Sequence, residues 1–103
     1  MNGINVFKVI VFDEAYEDIS QAALYLEEQN SGLGRDFLHE FRKVADDIAN
    51  FPEAHPCVKN NLRRCSIFRF KYNLFYRIKN SDTLEIIAVV HSRRKPYNFM
   101  DRL

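Results

Sequence analysis

A chain of 103 residues, 47% hydrophobic and carrying nine Phe and five Tyr, has enough apolar surface for one core and not for two, so a single domain over 1–103 is expected. No segment approaches the roughly 20 apolar residues needed to cross a bilayer, and Lys8 and Asp13 interrupt the N-terminal apolar run too soon for a signal peptide; a cytoplasmic protein without membrane contact is expected. The net charge of +1 hides a division: residues 1–58 carry four Lys or Arg against eleven Asp or Glu, net −7, whereas residues 59–103 carry eleven against three, net +8.

Residues 5–12, NVFKVIVF, are dense in β-formers and too short for an independent helix, so they read as a strand. Asp13 is placed to cap the helix that follows. From Glu14 to about Gln29, Ala15, Ile19, Ala22, Ala23 and Leu26 recur at helical spacing, and Glu14, Glu17 and Asp18 sit where the positive end of the helix dipole favours anions. NSGLG at 30–34 is a turn. Phe37, Phe41, Val44 and Ile48 then mark a second helix that ends before Pro52 and folds back on the first as an antiparallel hairpin.

The segment FPEAHPCVKNN, 51–61, reads as a surface loop. Three strands follow, CSIFR (65–69), YNLFYRIK (72–79) and TLEIIAVVH (83–91), with NSD at 80–82 as the turn of the last pair. Strict alternation puts Tyr72, Leu74, Tyr76 and Ile78 on one face of the middle strand. In the last strand it puts Leu84, Ile86, Ala88 and Val90 opposite Glu85, Ile87, Val89 and His91. The order β-α-α-β-β-β predicts an α+β fold, an antiparallel sheet packed against a two-helix hairpin.

The basic half contains the candidate site. Arg93, Arg94 and Lys95 leave the last strand together, and Arg63, Arg64, Arg69, Lys71 and Arg77 are placed to join them on one face or rim. Guanidinium groups bind phosphate or carboxylate bidentately, so such a cluster suits RNA backbone or an acidic peptide; a solvated sheet edge whose cations deter aggregation is the alternative. His91 has the chemistry of an acid or base, although a histidine at a strand end more often makes one structural hydrogen bond. His55-x-Cys57 supplies two metal ligands with no third nearby, and Cys57 and Cys65 are too few for a disulfide framework. No metal is expected. Motifs for nucleotide hydrolysis, hydride transfer, zinc proteolysis and serine esterase chemistry are absent from the sequence, so no cofactor is expected.

Taken together, DEAYEDISQAALYLEEQNSGLGRDF, IANFPEAHP, FRFKYNLFYRI and IIAVVHSRRKP, in this order and spacing, resemble the RelE/ParE superfamily of bacterial type II toxins over almost the whole chain. The resemblance implies a growth-inhibiting toxin neutralised by a cognate antitoxin, typically acidic and partly disordered, and the charge division fits such a partner. RelE-like members cut messenger RNA on the ribosome, with arginines, a lysine and a C-terminal tyrosine or histidine around the scissile phosphate. Arg93 matches one of those arginines. The second falls at Asn73 and the tyrosine at about Phe99, with Tyr97 two residues away. Arg93, Arg69, Lys71 and His91 are the catalytic candidates if the chain is a ribonuclease. ParE-like members lack that set and poison DNA gyrase, and KYNLFYRI and VVHSRRKP look more like them. The expected function is therefore gyrase inhibition without catalysis, with Arg63, Arg64, Arg69, Arg77, Arg93, Arg94 and Lys95 contacting antitoxin or target. An RelE-like endoribonuclease is the alternative, and a non-toxic RNA-binding module a third reading.

Overall fold

A computed structural model describes residues 6–93 and 98–103. The first strand, β1 (Lys8–Val11), leads into helices α1 (Asp13–Gln29) and α2 (Leu33–Asn50). Four strands follow, β2 (Cys57–Lys59), β3 (Leu62–Ile67), β4 (Tyr72–Asn80) and β5 (Thr83–His91), with short 3-10 turns at Phe68–Phe70 and Met100–Arg102. The sheet order is β1-β5-β4-β3-β2. The expected α+β architecture and the β3-β4-β5 meander are present, although β3 starts three residues before the expected strand 65–69 and stops at Ile67, leaving Phe68 and Arg69 in the 3-10 turn. The pairing differs in two further ways. β1 pairs with β5 in parallel, Lys8 opposite Thr83 through Val11 opposite Ile86, so the sheet is mixed. Cys57–Lys59, expected as loop, adds a short edge strand to β3.

Helix α1 begins one residue earlier than expected. Phe12 occupies the cap position, and the Asp13 side chain makes no capping hydrogen bond. The Tyr16 N–H donates to the Phe12 carbonyl instead, and the Phe12 N–H donates to Ile86 O, so the strand passes into the helix without a loop. Ala15, Ile19 and Ala22 of α1 and Phe37 and Ile48 of α2 are buried against Leu74, Tyr76, Leu84 and Ile86 of the sheet. These are the positions that the helical spacing selects.

The hairpin turn is built by a carboxylate. Glu27 accepts hydrogen bonds from the N–H groups of Gly32 (3.0 Å) and Gly34 (3.0 Å), satisfying donors that the start of α2 leaves without partners. These two backbone bonds hold the Glu27 carboxyl below its ordinary 4.5. A depressed carboxyl stabilises the fold above its unfolded value, and that contribution disappears as pH falls through the folded value. Glu27→Ala is therefore expected to unfold at lower urea than the wild type at pH 7, and at the same urea once pH falls well below 4.5. Unfolding curves at the two pH values check this.

The β4–β5 register shifts twice, near the hairpin turn between Ile78 and Asn80 and, with larger effect, in the middle of β5. Phe75 pairs with Ala88 but Tyr76 pairs with Ile86, so Ile87 is an extra residue, a β-bulge in β5. The bulge exchanges the two faces beyond it. Ile87 and Ala88 both join the outer cluster, with Val90 packed against it, while Val89 returns to the helix-side core. Residues 83–89 are buried throughout because the sheet is covered on both sides. The helices cover one side; on the other, Phe99 packs on Phe75 with ring centroids 4.8 Å apart, and Met100 lies beside the same cluster.

Candidate functional site

Arg69, Lys71, His91 and Arg93 stand at one end of the sheet. The 3-10 turn after β3 carries Arg69 and ends at Lys71, whose backbone is left-handed (φ 59°), a conformation costing a non-glycine residue about 1 kcal/mol. The Lys71 carbonyl accepts the Ser92 N–H at 2.8 Å, and Tyr72 pairs with His91, so this turn and the exit of β5 are locked side by side. The bulge turns His91 toward Tyr72, which it meets edge-on at 5.1 Å. His91 Nδ1 accepts the Arg93 N–H at 3.1 Å, so the neutral ring carries its proton on Nε2. Arg69 lies over the Phe70 ring and 3.5 Å from Asp36. Arg93 is exposed and borders a groove of about 600 Å³ between α1 and β5, lined also by Gln21, Tyr25, Tyr72, His91 and Arg102.

The other arginines do not converge there. Arg63 shares the helix-side face with its partner Tyr76 and donates from Nη1 to His55 O (2.7 Å) and Glu53 O (3.3 Å), anchoring the 51–56 loop. The Tyr76 hydroxyl donates to Pro52 O at 2.6 Å and fixes the same loop. Arg64 is exposed opposite Phe75, on the outer face. Arg77 pairs with Glu85 at 2.8 Å and lies over the Phe12 ring. Neighbouring strand residues point to opposite faces, so Arg63 and Arg64 cannot serve one rim. Arg94 and Lys95, as well as Tyr97, lie outside the described residues. His55 Nε2 contacts Asp47 (3.1 Å) and the Cys65 thiol (3.6 Å), not Cys57. Burial, reinforced by the Asp47 charge, pushes the Cys65 thiol up to about 11, so it stays protonated at neutral pH. Among the described residues, no group of three or more His, Cys, Asp or Glu is arranged to hold a metal ion.

One constellation was not legible in the sequence. Among the described residues, no strand lies beside the edge of β5 beyond Ile86, and Asp18 and Arg102 occupy that edge. Asp18 Oδ2 accepts the Val89 N–H at 3.0 Å, and Arg102 donates to both Asp18 oxygens (2.7 and 3.2 Å) and to Ile87 O (3.0 Å). The hydrogen bond to Asp18 raises the Arg102 pKa against the opposing effect of burial. The two residues are 84 positions apart, and the sequence marks Asp18 only as an anion near the start of α1.

A family model for the ParE toxin of the type II toxin–antitoxin system parDE matches residues 9–96. The chain belongs to the ParE toxin family. Its fold is similar to that of a chain in the chromosomal ParDE toxin–antitoxin system from P. aeruginosa, with a TM-score of 0.62 at 9% sequence identity, covering 84% of this chain and 97% of that one. None of the curated protein sequences matches it. The superfamily resemblance carried by DEAYEDISQAALYLEEQ and IIAVVHSRRKP therefore holds, and with it the assignment as a type II toxin. Membership in the ParE family implies a cognate antitoxin as partner. Among the described residues, no helix is long and apolar enough to cross a membrane.

Proposed function

We propose that this ParE-family chain acts by binding DNA gyrase and inhibiting it, and that an acidic, partly disordered antitoxin segment neutralises it by folding onto its surface. The observation that carries this reading is the fate of the ribonuclease positions. Phe99, at about the position where a ribonuclease of the superfamily has its tyrosine, is 2% exposed and packed on Phe75, and its phenyl ring has no proton to exchange. Asn73, at the second arginine position, holds a neutral amide in hydrogen-bond contact with Ser66. Among the described residues, what remains there is a set of cations with His91 as the one ring suited to proton transfer, which fits binding an acidic surface better than cleaving a phosphodiester.

Of the basic candidates, we assign Arg69 and Arg93, with Arg94 and Lys95 next to Arg93 in sequence, together with the helix hairpin, as the contact surface. Arg63 is engaged by the 51–56 loop, Arg64 lies on the opposite face and Arg77 is paired with Glu85. Tyr16, Leu24, Tyr25 and Leu38 are exposed on that hairpin and suit an amphipathic antitoxin segment. The grouping of Arg69, Lys71, His91 and Arg93 at one sheet end favours the second reading, an endoribonuclease acting through electrostatic stabilisation and acid/base chemistry at His91. Expression without the antitoxin separates the two. Altered plasmid supercoiling and DNA breaks with intact messages are expected; fragmented messages with normal supercoiling would refute gyrase inhibition.

A further inference from the structure

Phe68 is 88% exposed, the most exposed of the large hydrophobic residues described. It sits on the 3-10 turn Phe68–Phe70, where the Lys71 N–H closes the turn on Phe68 O and the Ser92 N–H ties Lys71 O to the exit of β5. Phe70, two residues on, is driven into the core and meets Phe37 edge-on at 5.5 Å. Arg69 lies over the Phe70 ring and beside Asp36 of α2. The knuckle is thus braced from below on β5 and α2, while its outermost ring makes no contribution to the core. A phenyl ring on a mobile loop would fold back onto the nearest apolar surface; this one is held away from it.

Around the turn the exposed charge is mainly positive, with Asp36 of α2 beside Arg69. Arg69 is 59% exposed, and Lys71 and Arg93 are exposed at the same sheet end. We propose that Phe68 is the anchor by which the toxin seats on its protein target, entering an apolar pocket with an acidic rim that Arg69, Lys71 and Arg93 engage. This inference rests on the target-binding reading above and names the contact. A protein pocket fits better than a nucleic acid because the feature is a single ring on a convex tip. Proteins that hold single strands instead line a concave groove with successive rings. Central, desolvated aromatic side chains ringed by polar contacts are also the commonest source of binding free energy at protein interfaces.

The experiment compares the full-length wild type with Phe68→Ala in four measurements: urea unfolding, affinity for purified DNA gyrase, affinity for the cognate antitoxin, and affinity for single-stranded RNA and DNA oligonucleotides. Because the ring is outside the core, the unfolding midpoint is expected to stay unchanged while gyrase affinity falls about 10- to 100-fold. Unchanged gyrase affinity overturns the inference. So does a loss confined to antitoxin binding or to oligonucleotide binding. If the wild type arrests growth without touching gyrase, the gyrase reading fails on its own, and growth arrest then judges Phe68. Arrest abolished by Phe68→Ala at unchanged stability, antitoxin affinity and oligonucleotide affinity sustains the anchor; undiminished arrest overturns it.

Discussion

Asp18→Ala is expected to destabilise the fold by about 1–3 kcal/mol, because it removes the acceptor shared by a buried N–H and a partly buried guanidinium. Among the described residues the Val89 N–H has no strand to turn to, since β1 ends opposite Ile86, and the Arg102 guanidinium loses the carboxylate that it grips with two nitrogens. Both side chains are only about one-fifth exposed, 19% for Asp18 and 21% for Arg102, so water replaces the lost partner poorly. The double variant with Arg102→Met is expected to lose less than the sum of the single changes, because the cation that Asp18 leaves stranded is then gone. Urea unfolding of the four proteins measures the coupling. A loss below about 0.5 kcal/mol for Asp18→Ala would make the pair an ordinary surface ion pair and the edge self-sufficient.

The second large effect is expected at Gly34. In an exposed helix, Gly→Ala stabilises by about 1 kcal/mol. Here the sign reverses. A Cβ on Gly34 would stand 2.6 Å from the Ala23 carbonyl oxygen, a backbone atom of the neighbouring helix, and 3.1 Å from the Glu27 carboxylate that caps α2. To admit one methyl group the hairpin must open, and overpacking of this kind costs about 1–3 kcal/mol. Gly32→Ala separates sterics from backbone preference. Its nearest contact is 4.0 Å away, but its φ is +92°, so its loss comes from strain alone. Thermal unfolding that ranked Gly34→Ala above the wild type would show that the two helices are not in close contact at this point.

How much could be foreseen follows from where the relevant signal lies in the chain. Helices α1 and α2 were legible because Ala15, Ile19 and Ala22, and Phe37 and Ile48, repeat at the helical period within one short segment, and these are the residues buried against the sheet. The β3-β4-β5 meander was legible from β-formers separated by a turn. The parallel pairing of β1 was not, because nothing in Lys8–Val11 names a partner that follows at residues 83–86. The Ile87 bulge was hidden too: in TLEIIAVVH every residue from Ile86 to Val90 is apolar, so an inserted residue leaves no break in the pattern. That one insertion decides the environment of His91, which turns to Tyr72. Among the binding candidates, period-two reasoning applied to Arg63 and Arg64 would already have separated them. Arg63 proved to be a loop anchor because the His55 and Glu53 carbonyls fold over it, a tertiary event without a local signature.

The parallel β1–β5 pairing also sets the order in which the molecule can assemble. The helix hairpin closes within residues 13–50 and the meander within 62–91, each through contacts near in sequence, whereas β1 must wait for a partner made more than seventy residues later. Loop-closure entropy therefore makes β1 the late seam of the fold. Because α1 follows β1 without a loop, that seam and the Asp18–Val89 bond together set α1 beside β5, and the α1–β5 groove is the space they leave.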